Sequence, residues 1–199
     1  MDDLLQKELT PDGISIVCGL DEAGRGPLAG PVYAGAVILP DGIIPEGLND
    51  SKKLSEIKRD ALFEEICRIA VAWSFGVASP AEIDEINILN ASMLAMRRAV
   101  EALSVKPEFL LVDGNVARGF TLPARAVIRG DGCVPCIAAA SIVAKVLRDR
   151  HCREMDALYP QYGFAVHKGY PTKAHYEAIR AFGPCPLHRK SFLKKKHDV

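Results

Sequence analysis

Short apolar blocks separated by turn residues run along the chain and predict its elements. Residues 14–20 (ISIVCGL) are apolar and β-branched, which predicts a strand ending at Asp21-Glu22 and a glycine-rich turn. Residues 31–39 (PVYAGAVIL) predict a second strand, closed by Pro40-Asp41-Gly42. From Ser55, a plausible N-cap, to about Arg68, Ile57, Leu62, Phe63 and Ile66 recur at helical spacing. Residues 70–78 (AVAWSFGVA) predict a third strand. Ser79-Pro80-Ala81-Glu82 then supplies a capping serine, a proline at the first helical position and an acid in the first turn. A short helix follows, then a longer one from about Leu89 to Leu103. FLLVDG (Phe109 to Gly114) and ARAVIRGD (Ala124 to Asp131) predict two more strands, ending in Asp113 and Asp131. A long helix is expected from Ile137 to about Leu158 and a last one from Thr172 to Phe182.

This order predicts an α/β fold with a mixed sheet. The first strands are joined closely enough to be antiparallel, and the strand near Phe109, reached through a helical crossover, is expected parallel to the first. The pattern contains no internal repeat or low-complexity linker. We expect one domain over residues 1–199, with an α/β core at about 14–150 and a helical C-terminal region from about 151 to 199.

Composition narrows the classes. The chain has 199 residues, 49% of them hydrophobic, enough for a sizeable core. No apolar run reaches the ~18 residues of a membrane span, and the acidic start, MDDLLQKELTPDG, is unlike a secretory signal. A cytoplasmic protein is expected. Six cysteines are present, but a chain this long and apolar is not a disulfide-stapled secreted fold. Cys18 and Cys67 lie in apolar runs and read as buried thiols. Net charge is zero, which argues against nonspecific coating of DNA while leaving room for a local basic surface. The tail Arg189 to Lys196 (RKSFLKKK) concentrates positive charge and reads as a solvated end.

Three apolar strands predicted to end in acids carry the chemistry. Any one acid could simply cap the next turn, and Asp131, before a glycine and a helix, is the most cap-like. Several converging at one rim of a sheet would repel each other and have raised pKa values unless cations neutralise them. Oxygen ligands without clustered histidines select hard ions such as Mg²⁺ or Mn²⁺, as two-metal phosphodiester hydrolysis requires, with ions ~3.5–4 Å apart. Asp21 and Glu22 are adjacent and would point to opposite faces of a regular strand.

The turn DEAGRGPLAGPV (Asp21 to Val32) invites comparison with a dinucleotide-binding loop. Its spacing is GxGxxxG, Pro27 stands where the helix should begin, and two acids would repel a pyrophosphate. Its glycines allow close backbone approach to a ribose 2′-OH, and Arg25 could hold a phosphate; a tight turn with a surface arginine is the plainer alternative.

GLDEAGRGPLAGPV (19–32) resembles the signature of type 2 ribonucleases H, specifically the bacterial ribonuclease HII family. NDSKKLS (49–55), LVDGN (111–115), GDGCVPCIAAASIVAKVLRDR (130–150), HKGYPT (167–172) and HRKSF (188–192) resemble further blocks in the same order. The resemblance implies a ribonuclease H-like fold, a five-stranded mixed β-sheet flanked by helices, with a helical C-terminal region. It implies an endonuclease that hydrolyses the RNA strand of RNA–DNA hybrids and nicks 5′ of single ribonucleotides in duplex DNA, leaving 3′-hydroxyl and 5′-phosphate ends. By resemblance Asp21, Glu22, Asp113 and Asp131 hold Mg²⁺ or Mn²⁺, Gly24, Arg25 and Gly26 sense the RNA-to-DNA junction, and Tyr170 packs on the sugar at its DNA side. Lys52 is a weaker carry-over toward a phosphate. Lys145 and the small residues Ala138 to Ser141 read as structural, the latter letting a helix lie close to the sheet.

The chain departs from the family pattern at Cys133-Val134-Pro135-Cys136. A zinc site there would need two more ligands, and Cys152 and His151 are the candidates. A catalytically silent hybrid-binding module on the same fold would be expected to lose an acid, and all four are present. The sister type HIII carries an extra N-terminal domain, for which the dozen residues before the first strand leave no room. Expected partners are hybrid nucleic acids, with no membrane and no small-molecule cofactor, and a monomer is expected.

Overall fold

A computed structural model of the protein describes residues 3–49 and 51–193. Asp50 and the lysines at 194–196 of the basic tail lie outside the described residues. The elements are α1 (Asp3–Leu9), β1 (Val17–Ala23), β2 (Val32–Ile38), α2 (Glu56–Ile69), β3 (Ala72–Ala78), α3 (Pro80–Glu101), β4 (Phe109–Asp113), β5 (Ala124–Val127), α4 (Pro135–Leu158), α5 (Phe164–His167), α6 (Lys173–Phe182) and α7 (Lys190–Leu193). The sheet has five strands in the order β3-β2-β1-β4-β5. β2 is antiparallel to β1 and β3, whereas β4 runs parallel to β1 and β5 parallel to β4, the mixed sheet expected from the connections.

Strand alternation divides the core between the two faces. Cys18 and Leu20 of β1, with Leu110 and Val112 of β4, cluster with Met93, Met96 and Ala99 of α3. Val17, Phe109 and Leu111 point the other way and cluster with Cys136 and Ile137 at the start of α4. Close approach of α4 depends on two glycines. A Cβ on Gly19 would lie 2.1 Å from the carbonyl carbon of Cys136, and one on Gly35 would lie 2.4 Å from the carbonyl oxygen of Ala140. Ala138 to Ser141 are all buried there, so small residues face small residues across the interface.

Two strands, β1 and β5, differ most from the sequence reading, for physical reasons. β1 begins and ends three residues later than the apolar run, because cross-strand pairing of Glu22 with Ala34 and Ala23 with Tyr33 carries the acids into the strand. β5 ends at Val127, so Asp131 is not a strand-end residue. Ile128 is exposed there and Arg129 takes a left-handed conformation (φ 57°), turning the chain into a 3-10 turn over Gly130–Gly132. The helix α1 was not expected. Its Leu5 and Leu9 pack against the cluster under α4, and the Gln6 side chain accepts a hydrogen bond from the backbone N–H of Cys136 at 3.2 Å. That bond satisfies a helix-start donor which the N-cap residue, Val134, cannot serve with its own side chain.

No described helix is long and apolar enough to cross a membrane. All six cysteines are free thiols; Cys18 is buried as expected, but Cys67 is only half-buried.

Candidate active site

Register brings the first two acids together. In the parallel pair β1–β4, Leu20 stands opposite Val112. One residue further, Asp21 and Asp113 therefore come abreast at adjacent strands, which lie ~4.8 Å apart. Parity then puts both on the α4 face, with Val17, Gly19 and Leu111. Asp131 arrives separately, on the 3-10 turn between β5 and α4, where its backbone N–H donates to Asp113 Oδ1 at 3.3 Å. Each of Asp21, Asp113 and Asp131 offers a carboxylate oxygen, and these oxygens lie within 4.8 Å of one another.

Such a group is electrostatically unfavourable by itself. Burial, with the charges of Glu22 and Asp113, pushes the Asp21 carboxyl well above the usual carboxylate range. Burial and then the Asp131 charge push Asp113 up as well. The side chain of Asp21 accepts the backbone N–H of Glu22 at 2.7 Å. Three buried or half-buried carboxylates around one space, with oxygen donors only, fit a hard divalent cation; among the described residues this is the one cluster of that kind. Cys133, Cys136, Cys152 and His151 form no such cluster.

The other expected site residues are distributed around this group. Glu22 stands on the opposite parity from Asp21 and is not one of the three that converge; its carboxylate pairs with Arg25 at 3.1 Å. Burial raises its pKa, against the pull of Arg25, and it also feels the charge of Asp113. Arg25 thus lies on Glu22 here. Lys52, on a short 3-10 turn, places Nζ 3.2 Å from Asp131 Oδ2. Tyr170 is 44% exposed, and a Cβ on Gly26 would lie 3.3 Å from its ring, so the tyrosine and the GRG turn form one continuous surface. Gly24 has φ 104°, a left-handed backbone that favours glycine. Lys145 pairs with Asp149 at 2.7 Å within α4 and serves structure.

An open depression of about 880 Å³ is lined by Lys52, Asp113, Asn115, Ile128, Arg129 and Asp131 among others. Arg129 escaped the sequence reading; its positive φ, unusual for a non-glycine residue, is a feature that only the backbone reveals. Arg189 was misread. It is not part of a solvated tail but fully buried, donating to the carbonyls of Gly24, Arg25 and Gly30 at 2.6, 3.0 and 2.9 Å.

Comparison with known proteins agrees with this fold. The family model described as Ribonuclease HII matches residues 18–195. The chain is 61% identical to a ribonuclease HII of Shewanella amazonensis, over 88% of this chain and 85% of that protein. It is 55% identical to a ribonuclease HII of Shewanella loihica, over 98% of each. Among solved structures it is similar to the ribonuclease H2 from Pyrococcus horikoshii, with a TM-score of 0.73 and 28% identity over 89% of this chain and 93% of that one.

Proposed function

The chain belongs to the ribonuclease HII family, and from that premise we propose that it is an endonuclease hydrolysing the RNA strand of RNA–DNA hybrids, with Asp21, Asp113 and Asp131 as its metal-binding centre and Glu22 at the flank. The observation that carries this reading is the convergence of three carboxylates from separate parts of the chain within 4.8 Å. Mg²⁺ or Mn²⁺ is the ion their chemistry selects. When bound, such ions activate the attacking water and stabilise charge on the leaving oxygen.

The remaining residues bind and orient the substrate. The Arg25 guanidinium, paired with Glu22 at 3.1 Å, has a neighbouring strand phosphate as its alternative partner. Its exchange from carboxylate to phosphate would leave Glu22 available to the metal centre. Lys52, exposed and 3.2 Å from Asp131, holds positive charge at the edge where a scissile phosphate would enter. The Tyr170 ring beside Gly26 offers an apolar face to a deoxyribose, which favours a sugar without a 2′-hydroxyl next to the GRG turn. Together these residues favour nicking 5′ of a ribonucleotide embedded in duplex DNA.

The test is cleavage of three duplexes (all-DNA, one embedded ribonucleotide, and a full RNA–DNA hybrid), each with Mg²⁺, with Mn²⁺ and with chelator. Cutting of the two ribonucleotide-containing duplexes, abolished by chelator, is expected. Asp21→Asn and Asp113→Asn should each lower the rate by roughly a hundredfold or more while hybrid binding persists, because the lost charge serves the chemical step. Parental rates in either variant would refute the assignment of that acid.

A further inference from the structure

Arg148 of α4 and Arg189 ahead of α7 are the two largest fully buried side chains, at 1% and 0% exposure. Burying a guanidinium is costly unless its donors are satisfied. Here, among the described residues, they are satisfied by backbone carbonyls and not by a carboxylate. Arg189 Nη2, Nη1 and Nε donate to Gly24, Arg25 and Gly30 at 2.6, 3.0 and 2.9 Å. Arg148 donates to Lys168 at 3.0 Å, with longer contacts to Pro31 at 3.4 Å and Ala29 at 3.5 Å. Every one of these carbonyls belongs to the 24–31 turn or to the segment that carries Tyr170.

Peptide planarity gives this arrangement a consequence on the other side of the turn. In a trans peptide the C=O and the following N–H point in opposite directions. Holding the carbonyls of Gly24 and Arg25 inward therefore aims the N–H groups of Arg25 and Gly26 outward. Both residues are exposed, and neither amide donates to another described residue. They lie beside Tyr170, whose ring is in reach of Gly26. The conformation also depends on Gly24 itself, since a Cβ there would lie 2.2 Å from Arg148 Nε.

We infer that Arg189, backed by Arg148, is a positioning residue for junction recognition: it fixes the turn so that two backbone amides face the substrate strand as a preset pair of donors for its phosphate or 2′-hydroxyl oxygens. This rests on the nuclease reading above. The fork matters as well as the charge, because a lysine ammonium cannot serve three carbonyls in one plane.

The experiment compares Arg189→Lys and Arg148→Lys with the parent protein. Thermal unfolding and Mn²⁺ binding by calorimetry check that the fold and the acid cluster persist. Steady-state kinetics are then measured on a duplex with one embedded ribonucleotide and on a uniform RNA–DNA hybrid. For a folded, Mn²⁺-binding Arg189→Lys, kcat/KM on the embedded ribonucleotide should fall by about tenfold to a hundredfold, the scale of a small misplacement near the chemistry. The fall on the uniform hybrid should be smaller, so the preference between the two substrates shifts. Arg148→Lys should shift it in the same direction by less. A folded Arg189→Lys with the parental preference overturns the inference, as does failure of both variants to fold at the assay temperature, which would make the arginines struts of the core. A parent protein that cuts neither duplex overturns the nuclease reading instead.

Discussion

At Gly35 a missing side chain decides how close α4 lies to the sheet. The position faces the Ala140 carbonyl, where a Cβ would stand at 2.4 Å, and backbone on a long helix cannot yield as the end of a side chain can. Gly35→Ala is expected to destabilise the protein by about 1–3 kcal/mol, the usual cost of overpacking, read as a lower urea midpoint at unchanged slope. An unshifted midpoint would mean that the helix–sheet spacing gives way freely. Gly35 pairs with Asp21 across the sheet, so lifting α4 also disturbs the strand that carries an active-site acid. The stability of one small residue and the geometry of the site are thus joined through a single strand pair.

Among the elements, α3 has the strongest local definition. Ser79 and Glu82 form a reciprocal capping box, Pro80 occupies the first turn, and Arg98 reaches back to Glu82 at 2.7 Å. The side-chain bond from Arg98, followed by the Ser79 backbone bond, pulls the Glu82 pKa down to about 2 from its ordinary 4.5. A carboxyl depressed by folding stabilises the native state fully above its unfolded pKa, and this contribution is lost as the pH falls through the folded value. Glu82→Gln should therefore flatten the acid limb of the stability curve between about pH 4.5 and 2; an unchanged limb would show that the ion pair is too solvated to count. Ser79→Ala should cost about 1 kcal/mol. At Asn87 the helix breaks (φ 66°, ψ 165°), and the Asn87 side chain accepts from the Asn90 N–H at 3.1 Å, starting the second part. The short helix and longer helix expected from the sequence are the two sides of this kink.

For the molecule as a whole, two histidines, His175 and His188, tie the C-terminal segments to one another. His175 Nδ1 lies 2.9 Å from the Tyr170 carbonyl and must donate to it, so its Nε2 accepts from His188 Nε2 at 3.1 Å. His188 Nδ1 is then left to accept from the Cys185 N–H at 3.0 Å. This chain of bonds closes only if both rings are neutral. Burial depresses the His175 pKa to about 4 and lowers that of His188. The unfolded chain binds protons first, so stability is complete above the unfolded value near 6.5 and declines as pH falls toward about 4. Urea midpoints should drop across that window, with His175→Asn removing part of the slope. A flat profile between pH 7 and 5 in the parent protein would count against the neutral network. Because the Tyr170 carbonyl is one of its acceptors, acid should also loosen the surface beside the GRG turn.

Much of this was legible in the sequence. Period and turn residues located the strands and major helices, and capping residues placed the helix starts at Ser55 and Ser79, each of which accepts a hydrogen bond from the first turn; that Thr172 caps the last long helix in the same way is seen only in the structure. The acids stood out because three apolar runs end in charge, a repetition that capping a turn explains for any one of them but not for all together. These are short-range properties, and residue type and spacing determine them. The convergence of Asp21 with Asp113 is of another kind. It needs a parallel register between strands almost a hundred residues apart, and the approach of Asp131 needs a backbone turn at Arg129 that no local pattern announces. Arg189 was read as solvent-exposed because a basic tail resembles any other. Only the folded chain turns the carbonyls of Gly24, Arg25 and Gly30 inward, and their need for donors is the physical reason a charged side chain is held in the interior.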